Sequence, residues 1–358
     1  DGGLNLNDAI YVSKQLEKTG VDMLHVSGGT TIIRGSSIPA PGTKMGSHSA
    51  LSAEIKKHVS IPVATGGRIT EPWLAEELIA NDKADICMIG RANLCEPEFC
   101  NKAQAGHTDE IRPCIGCLRC LNGIMFGNRI ACTVNPSFEP ENEETLTTAE
   151  TKKNVLVIGG GPAGMEAAFV AAKRGHHVIL ADKQDALGGT VRIAAVPIAK
   201  QDLTQLIKYQ AHKLEQVGVE VLLNTEVTLD MIKTDYADYE IILCGGAAPI
   251  VPGFMTEFKD YMTADDVLYG RKFPGHKIVV IGGGSVGCET ADYLAPVLND
   301  RFPKNREIIL IEMAHEIMAN ESGPGRSLLV QRMMEKGIQI ICDAKVEEVS
   351  NDTISYSK

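Results

Sequence analysis

A glycine-rich motif occurs twice in this chain, and it constrains the fold more than any other feature. Val157-Ile-Gly-Gly-Gly-Pro-Ala-Gly164 and Val280-Ile-Gly-Gly-Gly-Ser-Val-Gly287 each follow an apolar run and precede a helix-like segment. A strand, a GxGxxG loop and a helix N-terminus in this order hold the pyrophosphate of a dinucleotide, because backbone N–H groups and the helix dipole face the phosphates. The two copies start 123 residues apart (282 − 159) and predict two dinucleotide sites in Rossmann-like α/β domains.

Each glycine loop is followed by an acidic residue at the end of the next predicted strand. Asp182 lies 18 residues after Gly164 (182 − 164), and Glu312 follows the apolar run 308–311. An acid at this position binds a ribose hydroxyl. If the pair of sites does redox work, one site takes a flavin and the other a nicotinamide. Because no Arg stands among the three residues after Glu312, the second site favours NADH over NADPH.

Four of the ten cysteines form a second strong pattern. Cys114, Cys117 and Cys120 form a CxxCxxC motif, and Cys132 follows after 11 intervening residues. Three thiolates on one glycine-containing loop and a fourth from a nearby turn can hold one metal centre. Zinc is the alternative, although structural zinc sites usually bring their thiolates as two separated pairs. The pattern favours an iron–sulfur cluster, of the 4Fe rather than the 2Fe form. The remaining cysteines are interpreted as small buried residues or bystanders: Cys87, Cys95, Cys100, Cys244, Cys288 and Cys342.

The first 110 residues alternate helix-like segments with short apolar runs that end in glycine. Three such αβ units predict parallel strands with helical crossovers. Thr65-Gly-Gly-Arg68 and Ile89-Gly-Arg91 lie at the carboxyl ends of two of these strands. Glycine lets backbone amides approach a phosphate, and arginine supplies charge-assisted hydrogen bonds. By spacing alone, a phosphate site and a pair of glycine turns with surface arginines are equally compatible. His25, on the strand before them, is compatible with an active-site mouth or with a core histidine.

The composition excludes several classes of function. The 35 basic and 46 acidic residues give a net charge of −11, so no overall basic surface for nucleic acid or anionic lipid exists. No apolar run reaches the roughly 18 residues of a membrane span, and no leader-like segment opens the sequence. Ten cysteines in such a chain indicate reduced thiols and a cytoplasmic protein. A homo-oligomer is compatible with the sequence.

The order of these motifs resembles a known family. Barrel-like βα units that end in Gly67-Arg68 and Gly90-Arg91, a CxxCxxC segment and two dinucleotide loops are similar to the iron–sulfur flavoenzyme branch of the Old Yellow Enzyme superfamily. This branch of NADH:flavin oxidoreductases includes 2,4-dienoyl-CoA reductase, 2-enoate reductase, bile-acid enoate oxidoreductases and trimethylamine dehydrogenase. The run 112–121 resembles the enoate-reductase side most.

The resemblance implies a fold class and a domain plan. The fold class is α/β, with the C-terminal part of a (β/α)8 TIM barrel, a 4Fe-4S cluster segment and then Rossmann-like FAD/NAD-binding domains. The implied segments are 1–110 for the FMN-binding barrel, 111–136 for the cluster, 137–153 for a linker, 154–275 for the first part of the FAD-binding domain and 276–358 for the NAD(P)H-binding domain. A barrel of about 250 residues does not fit before Cys114. The chain is therefore expected to be part of a longer protein.

The resemblance also implies a role for each motif. In the first region, the FMN phosphate would be held by Gly67, Arg68, Gly90 and Arg91, and the 4Fe-4S cluster by Cys114, Cys117, Cys120 and Cys132. FAD would be held by Gly159, Gly161, Ala163, Gly164 and Asp182, with Gly188, Gly189 and Arg192 as further contacts. NADH would be held by Gly282, Gly284, Gly287 and Glu312. No catalytic acid is assigned, because the barrel strands that carry it in the family have no counterpart here.

The implied activity is the NADH-dependent reduction of activated C=C bonds in an unsaturated acid or acyl-CoA. Electrons pass from NADH to FAD, through the 4Fe-4S cluster to FMN, and then to the substrate. Two alternatives stay open. One is an oxidative amine dehydrogenase of the trimethylamine type, and the other is an electron-transfer subunit without substrate chemistry of its own.

Overall fold

The chain divides into two compact units, residues 1–144 and 145–358. The computed structural model describes residues 3–29, 37–125, 127–138, 146–255, 258–295, 306–319, 321, 324–350 and 353–358. The division between the units falls within the segment 137–153 that the sequence predicts as a linker, of which residues 139–145 lie outside the described residues.

Helices and short parallel strands alternate in the first unit. The strands are β1 (Leu24–Val26), β2 (Val63–Thr65) and β3 (Ile86–Cys87), and the helices are α1 (Leu6–Lys18), α2 (Ser49–Lys56), α3 (Pro72–Ala80), α4 (Arg91–Cys95), α5 (Phe99–Gln104) and α6 (Arg119–Met125). The three strands pair in parallel in the order β1-β2-β3, with Val26 opposite Thr65 and Thr65 opposite Cys87. Parallel pairing with a helix between consecutive strands is the arrangement that the glycine-ended αβ units predict.

The two faces of strand β1 differ in burial. Leu24 and Val26 pack with Ile55 and Val63 into an apolar cluster, to which α1 and α2 also contribute. His25 lies between them and is exposed, because successive side chains of a strand point to opposite faces. This exposure favours the active-site mouth over the core histidine among the two interpretations of His25.

The second unit contains two parallel sheets, one for each glycine motif. Its first half comprises β4 (Asn154–Ile158), α7 (Pro162–Lys173), β5 (His177–Ala181), α8 (Thr190–Ala194), α9 (Leu203–Gln216), β6 (Glu220–Leu222), α10 (Leu229–Thr234) and β7 (Glu240–Leu243). These strands form a parallel sheet in the order β6-β5-β4-β7. Strand β4 is central and precedes the first glycine loop, so this loop opens at the middle of the sheet edge.

The second half repeats the strand, loop and helix of the first. It comprises α11 (Ala264–Leu268), β8 (Lys277–Ile281), α12 (Ser285–Leu294), β9 (Glu307–Ile311), α13 (Pro324–Glu335), β10 (Gln339–Ile341), β11 (Lys345–Val349) and β12 (Ile354–Ser357). Strands β8, β9 and β10 are parallel in the order β10-β9-β8, and β11 pairs antiparallel with β12. Among the described residues, no helix combines the length and the apolar character that crossing a membrane requires.

Helix α7 begins at Pro162, directly after the first glycine loop. Proline fits the first turn of a helix, because its missing N–H has no intrahelical partner there and its fixed φ is already helical. The loop therefore passes directly into the helix, and Gly161 is the N-cap residue.

The third glycine of each loop is required by close packing rather than by a ligand. An ideal Cβ on Gly164 would overlap the carbonyl oxygen of Gly159, and one on Gly287 would overlap that of Gly282. By contrast, a Cβ on Gly161 would meet no described atom within 4 Å. The first and last glycines of the motif thus let the helix approach the strand, which is the packing role that the motif predicts.

We expect Gly164→Ala to destabilise the second unit strongly and Gly161→Ala to leave its stability almost unchanged. The overlap at position 164 involves backbone, so it can be relieved only by moving α7 away from β4, at a cost of at least about 2 kcal/mol. Denaturant unfolding of the two variants, monitored by circular dichroism, measures the difference. Equal stability of the two variants would contradict this account of the loop.

Candidate functional site

Four cysteines line a single cavity in the first unit. Its wall includes Cys114, Cys117, Cys120 and Cys132, together with Arg91. These are the four cysteines of the predicted cluster, and the structure brings all of them together. All four are free thiols. The donor set therefore fits a group that binds four thiolates.

The loop between the cysteines has an unusual backbone. Gly116 has φ +66° and Leu118 has φ +64°, so both adopt the left-handed conformation. Glycine does so without steric cost, but a bulky leucine in this region is strained. Leu118 is nevertheless buried, at 4 % exposure. These two left-handed residues turn the chain within the CxxCxxC motif while its three thiols keep facing the same cavity. Backbone strain of this kind is found at functional sites.

Hydrogen bonds and burial act on the thiols in opposite directions. Burial raises the pKa of Cys114 and of Cys120, and backbone N–H donors oppose this effect at both. At Cys132, the neighbouring thiol of Cys95 and two backbone N–H donors lower the pKa to about 6. Cys95 is fully buried, and its own pKa is raised by the contact with Cys132. Cys95 therefore touches a predicted ligand, which its sequence position did not indicate.

The two arginines of the predicted phosphate site lie beside the cysteine loop. Arg68 is 6 % exposed, and its guanidinium donates hydrogen bonds to the carbonyl oxygens of Ala40 and Thr43. A Cβ on Gly116 would lie 3.6 Å from Arg68 Nε. Arg91 follows β3 and contributes to the wall of the cysteine cavity. The predicted phosphate loops and the predicted cluster are thus adjacent within the first unit.

Three polar atoms near Gly67 were not indicated by the sequence patterns. Ser47 Oγ, His48 Nε2 and Thr65 Oγ1 are buried and have no hydrogen-bond partner among the described residues. The His48 ring lies between Gly28 and Gly67, which follow β1 and β2, and burial lowers its pKa. Buried polar groups normally have partners. This edge of the sheet is therefore suited to a polar ligand. A Cβ on Gly90 would meet no described atom within 4 Å, so there is room for a ligand at this residue.

At the first glycine loop, a carboxylate holds the backbone. Gly160 N donates to Asp182 Oδ2 at 2.5 Å, and Gln184 N donates to Asp182 Oδ1 at 2.7 Å. The second predicted glycine pair joins the same site, because Gly188 N donates to Gly160 O at 2.8 Å. The structure thus brings together Gly159, Gly161, Ala163, Gly164, Asp182 and Gly189. Arg192 is ion-paired with Asp185 at 3.0 Å.

The second glycine loop repeats these contacts. Gly283 N donates to Glu312 Oε2 at 2.5 Å, and Ala314 N donates to Glu312 Oε1 at 2.7 Å. Met318 N donates to Gly283 O at 2.7 Å, as Gly188 N does to Gly160 O in the first half. A Cβ on Gly284 would meet no described atom within 4 Å. Gly282, Gly284, Gly287 and Glu312 are therefore arranged as Gly159, Gly161, Gly164 and Asp182 are.

An ion pair joins the two halves of the second unit. Lys200 Nζ lies 2.5 Å from Glu289 Oε1. Glu289 is on α12, two residues after Gly287, and Lys200 ends a short 3-10 turn in the first half. The helix that starts at the second glycine loop is therefore bound electrostatically to the half that carries the first loop.

This duplicated loop and acid arrangement defines a class, the α/β proteins with two dinucleotide-binding sites. Residues 153–357 match the family model of the pyridine nucleotide-disulphide oxidoreductases, and residues 6–121 match that of dihydrouridine synthase. The chain belongs to the pyridine nucleotide-disulphide oxidoreductase family, and a barrel-type flavoenzyme segment precedes this domain.

Individual proteins agree with this assignment. The chain is similar to the NADH oxidase of Thermoanaerobacter brockii, at 37% identity over 98% of this chain and 54% of the relative. It is also similar to the cinnamate reductase of Clostridium sporogenes, at 36% identity over 88% of this chain and 46% of the relative. A solved complex of 2-naphthoyl-CoA reductase with 2-naphthoyl-CoA has a TM-score of 0.91 and 26% identity, covering 99% of this chain and 54% of that one. The chain spans about half the length of the curated relatives it matches. The resemblance and the fold class inferred from the motifs are confirmed.

We expect the thiols to differ in reactivity when the protein is free of metal. Because thiolates and not thiols react with alkylating agents, a pKa of about 6 makes Cys132 reactive at pH 7, while Cys95 stays neutral and inert. Iodoacetamide labelling between pH 5 and 9, read by mass spectrometry, should give a half-maximal rate at Cys132 near pH 6.

The matched control is Cys95→Ala. Loss of the neighbouring thiol should move the Cys132 midpoint upward, toward the ordinary cysteine value of about 8.5. A midpoint at that ordinary value in the unsubstituted protein would contradict the contact between Cys95 and Cys132.

Proposed function

We propose that this chain is part of an NADH-dependent flavin and iron–sulfur oxidoreductase that reduces activated C=C bonds. One observation carries the proposal: the four-cysteine cavity and the predicted flavin-phosphate loops adjoin within one unit. Arg91 belongs to the phosphate loops and to the cavity, because it follows β3 at the carboxyl edge of the sheet and also contributes to the cavity wall. Electron exchange between a flavin and a cluster requires such proximity.

The thiol arrangement favours a cluster over a single zinc ion. A tetrahedral zinc site needs thiolates about 3.8 Å apart, because each Zn–S bond is about 2.3 Å. Within the part of the chain that the structure describes, no three His, Cys, Asp or Glu side chains converge closely enough to hold one ion. Thiols spread around the wall of one cavity suit a larger group with one thiolate per iron. Backbone N–H donors to Cys114 and Cys132 also fit, since hydrogen bonds to sulfur tune such clusters.

The chain's own residues would bind and orient two dinucleotides in the second unit. The open space at Gly161 and Gly284 leaves room for a pyrophosphate at the N-termini of α7 and α12. Asp182 and Glu312 each accept two backbone hydrogen bonds, and their remaining lone pairs would accept a ribose hydroxyl. We propose FAD at the first loop and NADH at the second. The carboxylate of Glu312 would repel a 2′-phosphate, and this disfavours NADPH.

The bound groups would supply the electron transfer. A nicotinamide gives two electrons as hydride, whereas a cluster carries one electron at a time, and a flavin can exchange electrons with both. FMN is proposed at the carboxyl edge of β2 and β3. There Gly67 and Gly90 allow close approach of backbone, and Arg68 and Arg91 supply positive charge. A cytoplasmic location stays a prediction from the cysteine content.

The proposed substrates are unsaturated acids or their CoA thioesters. Cinnamate reductase and 2-naphthoyl-CoA reductase, the proteins to which this chain is similar, are named for substrates in which a carboxylate or thioester carbonyl is conjugated with unsaturation. Such a carbonyl accepts the negative charge that develops when hydride adds to the β-carbon. No residue of this chain is proposed as the proton donor. The amine dehydrogenase alternative is less supported, because these two similar proteins are both named as reductases.

We expect the full-length protein, purified anaerobically, to contain about four iron and four acid-labile sulfide per chain. Each of the single substitutions Cys114→Ser, Cys117→Ser, Cys120→Ser and Cys132→Ser should remove most of this iron, because a hydroxyl is a poor ligand for a cluster. Cys100→Ser is the matched control, since Cys100 is exposed and outside the cavity wall. Iron retained in all four cavity variants, or stoichiometric zinc in place of iron, would refute the cluster.

We expect NADH to bleach the flavin absorbance of the full-length protein without oxygen, and cinnamate or an enoyl-CoA to restore it. NADPH should be at least about tenfold less efficient in kcat/KM, because of the charge on Glu312. Stopped-flow absorbance with a panel of unsaturated acids and thioesters measures both steps. Reduction of the flavin by amines and not by NADH would favour the amine dehydrogenase alternative. FAD and iron without FMN would favour the electron-transfer subunit.

A further inference from the structure

Arg91 lines the cysteine cavity, and part of its guanidinium is buried. The side chain lines this cavity with the four cysteines. Its Nη1 atom is buried, and none of the described residues accepts a hydrogen bond from it. A buried cation is costly unless an anion lies close to it. We therefore expect a negatively charged group to lie close to the Arg91 guanidinium, in or beside the cavity.

The groups around Arg91 narrow the choice of that anion. None of the ion pairs formed by described residues includes Arg91, whereas Lys102 is paired with Glu96 at 2.7 Å. Cys114, Cys120 and Cys117 attract the Arg91 guanidinium when they are thiolates, as they are when they bind a metal, and Arg68 repels it. The negative charge that these groups can offer is thus that of the predicted cluster ligands.

Arg68 differs from Arg91 in its partners. Its guanidinium donates to the carbonyl oxygens of Ala40 and Thr43, which hold it in place against Gly116. By contrast, Nη1 of Arg91 has no acceptor among the described residues. The two arginines of the predicted phosphate site are therefore not equivalent.

We propose that Arg91 sets the reduction potential of the iron–sulfur cluster held by Cys114, Cys117, Cys120 and Cys132. This inference rests on the proposed function, since it requires the cluster. In a cluster held by these thiolates, reduction would add one electron, which the reduced flavin would supply, and no bond would form or break. The cluster and its thiolates would then carry more negative charge. A fixed positive charge nearby in a site shielded from water stabilises the reduced form and raises the potential.

The test is a potentiometric titration of the full-length, iron-loaded protein, with chemical mediators and the EPR signal of the reduced cluster as the readout. For Arg91→Gln, we expect the equilibrium constant for one-electron reduction to fall at least tenfold, which is about 59 mV for a one-electron couple. Arg91→Lys keeps the charge and should stay within about threefold of the unsubstituted protein.

Arg119→Gln is the matched control. Arg119 lies between Cys117 and Cys120 in the sequence but is exposed, so solvent screens its charge. Arg119→Gln removes one positive charge, as Arg91→Gln does, but it should change the equilibrium constant for one-electron reduction less than about threefold. Flavin content is measured in every sample, and unsubstituted protein stripped of FMN is titrated alongside. Loss of flavin then cannot imitate the effect.

Each outcome decides the proposal. An unchanged potential in Arg91→Gln with iron intact overturns it, and if FMN is lost in the same variant, Arg91 serves the phosphate alone. Equal shifts in Arg91→Gln and Arg91→Lys overturn it too, because charge would not be the cause. If Arg91→Gln fails to assemble a cluster, a near-native potential in Arg91→Lys supports the proposal, and a tenfold shift in that variant overturns it. Absence of iron from the unsubstituted protein would instead refute the proposed function.

Discussion

Parallel strands end at a common edge of their sheet, and the predicted sites of this chain depend on that constraint. The two arginine loops follow β2 and β3 in the first unit. In the second unit, each glycine loop follows one strand and its acid follows the neighbouring strand, β4 with β5 and β8 with β9. Because the paired strands are parallel, the loop amide and the carboxylate meet without any long side chain to span the distance. Antiparallel pairing would have placed them at opposite ends of the sheet.

The sequence was informative wherever a site is made by local geometry. Strands β4 and β8, their loops and the acids Asp182 and Glu312 are each found at the residues that the motif predicts. A GxGxxG loop is short, and its glycines are needed for backbone contacts within a few residues of one another. The same holds for CxxCxxC, whose thiols share one cavity wall. In both cases spacing along the chain determines position in space.

Contacts between distant segments were not predictable in this way. Nothing in the spacing indicates that Arg68 lies against Gly116, or that Cys95 touches Cys132. His48 and Ser47 belong to a stretch without periodicity, yet they border Gly67. The left-handed conformation of Leu118 was not predictable either, because nothing about a leucine in a sequence indicates a positive φ. Such features arise from tertiary packing, which overrides local preference, and they concentrate where the chain approaches a ligand.

The carboxylates of Asp182 and Glu312 are each held by two backbone amides of the protein itself. These internal contacts constrain the shape of each loop, so that less conformational freedom is left to lose on association. A loop constrained in this way lowers the entropic cost of binding both for a dinucleotide that stays in place and for one that exchanges. The duplicated pair of hydrogen bonds therefore contributes to affinity as well as to the placement of the ligand.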